Sequence, residues 1–266
     1  MDGQTKKLVV IKLGGSIINS KDSAVQDIVR LSKAGYRIIL VHGGAKMVTQ
    51  WLAEQGIKAE FYQGERITDA KALSVVTAVL AGLANKETTA ALIQAGLKAA
   101  GISGVDGSLI EGKVRDPKLG YLGDVVKVNP QILESLLDGG FIPVVSPVSL
   151  NSNGRGTDDP PLVNINGDTV AGEIASAMRA ERLVFLTDVD GIKDSSGNIF
   201  HDVSVKGLED LLLTGVAYGG MIPKLKACAR ATGSGVVCRI IDGRRAGAAF
   251  DAVESDAAGT TIRPGR

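Results

Sequence analysis

The sequence has little cysteine, little histidine, no long apolar run and no excess of either charge, and each shortage removes a class of function. Its two cysteines, Cys228 and Cys238, fit no metal-ligand spacing and sit among Ala, Val and Arg residues, so they read as small buried side chains. Lys and Arg number 30 against 29 Asp and Glu, spread along the chain, which leaves no electrostatic footprint for nucleic acid or an anionic membrane. The longest apolar stretches, such as Leu8–Leu13 and Phe141–Val145, are far shorter than the ~20 residues of a membrane span, and Met1–Lys7 is polar without a signal-peptide core. There is no Ser/His/Asp or Cys/His set, no HExxH, no Cys-rich metal site and no HRD or DFG signature, so hydrolase and metalloprotease readings fall away. A cytoplasmic protein whose partners are small molecules or another copy of itself is expected.

What is present is an alternation. Short runs rich in β-branched residues, Leu8–Leu13, Arg37–His42, Phe141–Ser146, Leu183–Leu186 and Val236–Ile241, are separated by longer helical patterns. That order predicts an α/β fold, a mainly parallel sheet with helices on both faces. Helix starts are expected at Asp22 or Ser23, at Thr68 or Asp69, and at Asp168. Leu109–Val114 and Tyr121–Val128, joined by a turn around Asp116, Pro117 and Gly120, predict a β-hairpin placed to cover a substrate. The Asn-, Gly-, Asp- and Pro-rich stretch Asn151–Pro161 divides one domain, 1–266, into lobes 1–160 and 161–266.

Four constellations could carry chemistry. Lys12-Leu-Gly14-Gly15-Ser16 ends the first strand with a lysine and glycines whose N–H groups suit a phosphate, although an ordinary tight turn has the same pattern. It matches neither a P-loop nor a dinucleotide fingerprint. His42-Gly43-Gly44-Ala45 closes a second strand and opens a helix; His42 has no partner nearby in sequence and reads as structural. Gly64-Glu65-Arg66-Ile67-Thr68-Asp69 and Asn164-Ile165-Asn166-Gly167-Asp168 stand at helix entrances, where capping is the ordinary reading. Arg66 nonetheless offers a planar fork for a carboxylate, and Asn164 an amide for an acetamido group. Asp188 to Gly191 and Gly219-Gly220-Met221-Ile222-Pro223-Lys224 lie in the second half, where a nucleotide could sit between them. An ionised carboxylate acceptor needs no general base, so two lysines and backbone donors suffice for its phosphorylation.

Taken in order, and with Asn85-Lys86 and Thr187-Asp188 included, these motifs resemble the acetylglutamate kinases, a branch of the amino-acid kinase family, over almost the whole chain. The resemblance implies a three-layer αβα sandwich with an open sheet of about eight strands, the acylamino acid bound by lobe 1–160 and ATP by lobe 161–266. It implies transfer of the γ-phosphate of ATP to the γ-carboxylate of N-acetyl-L-glutamate. Lys12 and Lys224 would neutralise the transferring phosphoryl group, Gly14 and Gly15 would donate to it, and Asp168 would orient the lysines. Arg66 would clamp the α-carboxylate, Asn164 would hold the acetamido group, and Gly44 and Ala45 would bind the reacting end. Asp188, Val189, Asp190, Gly191, Ile192 and Lys193, with Val216, Ala217 and Tyr218, would border the nucleotide. Mg²⁺ would arrive with ATP, and no residue is assigned to it as a ligand.

Ala45 and Glu65 depart from the family pattern and leave room for another acyl group. The runner-up is a carrier-linked aminoadipate or glutamate kinase. The hairpin's weak basic bias, Lys113, Arg115, Lys118 and Lys127 against Glu111, Asp116 and Asp124, favours the free acid. A silent amino-acid sensor of the same fold is a third reading, opposed by the presence of both lysines. The few residues before Leu8 lack the extra helix of arginine-inhibited hexamers, so an arginine-insensitive homodimer is expected.

Overall fold

The computed structural model describes residues 7–15, 21–62, 64–154, 159–194, 196–214 and 219–265. β1 (Leu8–Leu13) is an apolar run interrupted by one lysine, as expected of a central strand covered on both faces. It is followed by α1 (Lys21–Lys33), β2 (Arg37–His42), α2 (Ala45–Glu54) and a small hairpin of β3 (Phe61–Tyr62) and β4 (Glu65–Arg66). α3 (Ala70–Val76), a π-helical stretch (Thr77–Ala84) and α4 (Asn85–Gln94) then run on without interruption. β5 (Ala99–Ser103), β6 (Ile110–Val114), β7 (Leu122–Val128), α5 (Gln131–Asp138), β8 (Ile142–Ser146), β9 (Val148–Asn151) and β10 (Leu162–Ile165) complete the first part of the molecule. The rest is α6 (Gly167–Ala177), β11 (Arg182–Thr187), β12 (Asp202–Ser204), α7 (Val205–Leu213), α8 (Met221–Thr232), β13 (Val237–Asp242), α9 (Ala248–Glu254) and β14 (Thr260–Arg263).

Eight strands form one sheet in the order β12-β14-β13-β11-β1-β2-β8-β5. Every neighbouring pair is parallel except β13 with β14. From β1 the chain winds one way through β2, and its second half winds the other way from β11. The order therefore reverses between β1 and β11, and a crevice opens beyond their carboxyl ends, the place where such sheets bind ligands. The strand period of two sorts the core: Val10, Ile39, Val41, Leu183 and Phe185 face one apolar cluster, and Val9, Ile11, Ile38, Leu40, Val184 and Leu186 face the other. Lys12 shares its face with Val10, and His42 shares its face with Leu40.

Of the three expected helix starts, the one at Asp69 is found and the other two differ in detail. α1 begins at Lys21, so Asp22 and Ser23 lie inside it. Asp69 caps α3 by accepting from the Ala72 N–H, whereas Thr68 is buried. Asn166, not Asp168, caps α6, accepting from the Asp168 N–H at 2.8 Å. β6 and β7 form the expected antiparallel hairpin. The hairpin joins β9 and β10 in a closed four-stranded barrel that the sequence reading did not contain. Residue 160 falls between β9 and β10, which pair with each other, and β1 pairs with β11, so the large sheet runs through both halves.

At the far edge one carboxylate gathers three arginines. Asp256 accepts from Arg182 at 2.8 Å, from the fully buried Arg239 at 2.6 Å, and from Arg263 at 2.5 Å. Burial opposes ionisation of Asp256, but hydrogen bonds from Arg182 and Arg263 and the surrounding positive charge outweigh it and hold its pKa well below the usual carboxylate range. A depressed folded-state pKa stabilises above the unfolded value of ~3.9, and that stabilisation is lost as pH falls. Asp256→Asn is expected to destabilise the fold by roughly 2 kcal/mol at pH 7, with solvent screening keeping it below the fully buried case. In urea melts the gap to wild type should narrow below about pH 4; a gap constant down to pH 3 would contradict this assignment.

Candidate active site

Lys12, from the end of β1, and Lys224, one turn into α8, meet on the same carboxylate. Lys12 Nζ lies 2.6 Å from Asp168 Oδ1 and Lys224 Nζ lies 2.9 Å from Asp168 Oδ2. Lys12 and Asp168 are buried, so this is a low-dielectric triad rather than a surface pair. Burial opposes ionisation of Asp168, but the charges and hydrogen bonds of the two lysines outweigh it and hold its pKa below the usual range. Burial lowers the pKa of Lys12, the Asp168 charge resists that change, and the Lys224 charge adds to it.

Local sequence explains how three distant residues converge. The Asn166 cap satisfies the start of α6 and leaves the Asp168 carboxylate free for the lysines. α6 crosses α8 at Gly172, where a Cβ would stand 2.8 Å from the Ala227 carbonyl oxygen and 2.9 Å from its Cα. A glycine inside a helix costs about 1 kcal/mol relative to alanine, and here it lets the two backbones touch. Asp168 lies one turn before Gly172, and Lys224 lies one turn before Ala227.

A cavity of about 220 Å³ opens beside this triad, bordered by Gly15, Gly44, Ala45, Arg66, Asn164 and the two lysines. Gly44, with φ 151°, adopts a conformation that favours glycine, and a Cβ there would also meet Leu80 Cδ2 at 2.6 Å. Arg66 is buried; its Nη2 donates to the Ala45 carbonyl at 2.9 Å and to Thr49 Oγ1 at 2.8 Å. Its guanidinium carbon stands 4.7 Å from the centre of the Phe61 ring. Among the described residues Arg66 Nη1 has no hydrogen-bond partner, a buried donor suited to an anion. Thr68 joins the two acid-binding candidates: its hydroxyl donates to the Arg66 carbonyl at 3.0 Å and accepts from Asn164 Nδ2 at 3.0 Å. That bond leaves Asn164 Oδ1 to accept from a ligand N–H. Val48, Val76, Leu80, Leu122 and Pro147 supply apolar wall.

Asp188, Val189 and Asp190 are exposed beyond the carboxyl end of β11, with Gly191 and Ile192 buried behind them. The Asp188 charge reaches Lys12 and raises its pKa, and Lys193 pairs with Asp190 at 3.1 Å. Gly191 is fixed by the approach of Thr260 Oγ1, 2.7 Å from where a Cβ would stand. Val216, Ala217, Tyr218 and Ser16 lie outside the described residues. Gly14 needs a correction: its N–H donates to the Leu186 carbonyl at 2.9 Å and is engaged between β1 and β11. Gly15, not Gly14, borders the cavity.

His42 has no free nitrogen. Nδ1 donates to the Gly43 carbonyl at 2.9 Å, and Nε2 accepts from Asn85 Nδ2 at 3.1 Å. Burial pushes its pKa down to about 4, so it is neutral and structural, in agreement with the sequence reading. Thr49, Phe61, Gly172 and Leu80 escaped the sequence reading; of these only Gly172, an isolated glycine in a helical pattern, carried a signal.

The profile of the amino acid kinase family matches residues 7–242. This chain belongs to the amino acid kinase family. It is 48% identical over 262 residues to the acetylglutamate kinase of Dehalococcoides mccartyi, covering 98% of this chain and 96% of that protein. The chloroplastic acetylglutamate kinase of Arabidopsis thaliana is 40% identical, covering 96% of this chain and 75% of that protein. The fold is shared with the N-acetylglutamate synthase of Neisseria gonorrhoeae, at TM-score 0.83 and 24% identity, over 99% of this chain and 61% of that one. Carbamate kinase of Giardia lamblia shares it too, at TM-score 0.73 and 18% identity, over 98% and 99% of the two chains.

Removing the shared carboxylate tests the triad. Asp168→Asn takes away the influence that resists the lowering of the Lys12 pKa, so Lys12 should lose its proton at lower pH. kcat is expected to fall about 100-fold at neutral pH, and the alkaline limb of its pH profile should move to lower pH. An unmoved alkaline limb would contradict the coupling.

Proposed function

We propose that this protein is an acetylglutamate kinase, which transfers the γ-phosphoryl group of ATP to the γ-carboxylate of N-acetyl-L-glutamate in arginine biosynthesis. The products are N-acetyl-L-glutamyl 5-phosphate and ADP. The observation that carries the reading is a single cavity bordered by two lysines on one buried carboxylate and by Arg66, whose buried Nη1 has no partner among the described residues.

In this reading the Arg66 Nη1 binds the α-carboxylate, Asn164 Oδ1 accepts from the acetamido N–H, and the Gly44–Ala45 backbone holds the reacting carboxylate. That carboxylate is ionised and attacks the γ-phosphorus directly, so no base is required. His42, with both nitrogens engaged, is not placed to act as one. Lys12, Lys224 and the Gly15 N–H stabilise charge as it moves towards the leaving ADP. ATP would lie along the 161–266 lobe beside Asp188 to Lys193.

Among the described residues no three His, Cys, Asp or Glu side chains gather as a metal site, and both oxygens of Asp168 face lysines. Mg²⁺, arriving with ATP, would neutralise charge on its phosphates, and no residue of this chain is assigned to hold it.

A free acid is favoured over a carrier-linked one by the hairpin's electrostatics. Arg115 donates to Glu65 and, at 2.8 and 2.6 Å, to Asp124, which removes its charge from any docking face. The same ion pair accounts for an acidic residue at position 65. A silent sensor is disfavoured because both lysines are in place. No helix among the described residues is long and apolar enough to cross a membrane. The cytoplasmic, arginine-insensitive homodimer expected from the sequence is part of this proposal; sedimentation as a hexamer, or inhibition by arginine, would overturn its assembly and regulation.

The test is turnover of Mg-ATP and N-acetylglutamate, with the acyl phosphate trapped as its hydroxamate. Wild type should form hydroxamate with N-acetylglutamate and little with glutamate or N-acetyl-aminoadipate. Arg66→Ala should raise KM for the acid about 10- to 100-fold, the scale of a lost hydrogen bond to a charged group. Lys224→Ala should mainly lower kcat. Absence of hydroxamate from any free acid would sink the proposal.

A further inference from the structure

Gly64, which lies between β3 and β4 and borders the cavity, rests on the glycines that lead into the Lys224 helix. With φ 82° it forms the turn between the two strands. A Cβ on it would stand 2.6 Å from the Gly219 carbonyl carbon, 2.7 Å from the Gly219 oxygen and 2.9 Å from the Gly220 nitrogen. The contact is backbone against backbone, so no flexible side chain is present to absorb a displacement. Beside it, a cavity of about 400 Å³ separates Tyr62, Glu65 and Arg115 from Ile222, Lys226 and Arg230. The turn bears on α8 through a narrow contact.

Each side of that contact is tied to one half of the reaction. β3 and β4 pair Phe61 with Arg66 and Tyr62 with Glu65, and the Phe61 ring lies over the Arg66 guanidinium, which ties Arg66 to the hairpin that holds Gly64. Gly220 immediately precedes α8, and its carbonyl accepts from Lys224 Nζ at 3.3 Å. We infer that Gly64 is a positioning residue: its contact with Gly219–Gly220 carries occupancy of the acid site to Lys224, so that the acid and the nucleotide bind cooperatively and the lysine is seated when both are present. This inference rests on the kinase reading above. A 1 Å misplacement in such a site costs on the order of 100-fold in rate, and the bulk of one methyl group is enough to impose it.

The decisive variants separate steric bulk from backbone strain. Gly64→Ala adds both; Gly64→Asn adds bulk but tolerates positive φ. Gly56→Ala, at φ 69° with nothing within 4 Å of its Cβ and away from the site, adds strain alone. Three quantities are measured on the full chain: kcat and KM with Mg-ATP and N-acetylglutamate, the affinity for a non-hydrolysable ATP analogue with and without N-acetylglutamate, and amide hydrogen exchange over residues 219–225.

Both Gly64 variants are expected to lose kcat about 10- to 100-fold. Each substrate alone should bind within about threefold of wild type, the mutual enhancement should disappear, and exchange at 219–225 should quicken. Gly56→Ala should match wild type in all three measurements. Wild-type kcat and cooperativity in Gly64→Asn would overturn the inference, as would a Gly56→Ala variant that reproduces the Gly64 defects. If wild type does not turn over N-acetylglutamate, the kinase reading fails by itself. Hydrogen exchange then still decides whether Gly64 braces the Lys224 helix, and unchanged exchange in both Gly64 variants overturns it.

Discussion

The site depends on one constraint: Asp168 must remain ionised inside the protein, and only two lysines at once make that affordable. An isolated buried carboxylate would take up a proton, and an isolated buried lysine would lose one. Held at 2.6 and 2.9 Å, the two lysines offset the burial of the Asp168 carboxylate and keep its pKa below the usual range. Much of the surrounding structure serves that arrangement. Lys12 comes from the central strand, the Asn166 cap leaves the carboxylate free, and the Gly172–Ala227 crossing sets the spacing of α6 and α8.

The same economy governs the acid end. Arg66 is positioned by a carbonyl, a hydroxyl and an aromatic face, and one of its buried donors has no partner among the described residues. Thr68 links its backbone to the Asn164 amide, so the two candidate contacts to an acylamino acid are set by a single hydroxyl. The Gly64 turn extends this rigid unit to the start of α8. In the coupling inferred for Gly64, recognition of the acid and placement of the second lysine would share a mechanical path.

Five strands of the sheet, β1, β2, β8, β11 and β13, were legible because they are apolar runs largely buried on both faces, whereas β5, β12 and β14 are short or partly exposed and were not read. The motif residues were legible because they end strands or open helices. The small barrel was not: β9 and β10 have only four residues each, flank a polar loop, and acquire meaning only by pairing with β6 and β7. Thr68 and Asp168 were open to reading as caps, since a residue at a helix entrance looks the same in sequence whether it caps or reaches elsewhere; the structure gives those capping roles to Asp69 and Asn166. The engagement of the Gly14 N–H by Leu186 joins strands more than 170 residues apart in sequence, a fact no local pattern encodes. Gly172 could have been found, because a helical glycine without a turn to make implies close approach.

The most direct test of the triad's proposed role is an experimental structure of the full chain with Mg²⁺, a non-hydrolysable ATP analogue and N-acetylglutamate. The account predicts that Lys12 Nζ and Lys224 Nζ both stay on Asp168 while each reaches the β- or γ-phosphate oxygens, with the γ-carboxylate of the acid aligned towards the γ-phosphorus. A γ-phosphate bound away from both lysines, or an Asp168 carboxylate turned from them to the metal, would contradict it.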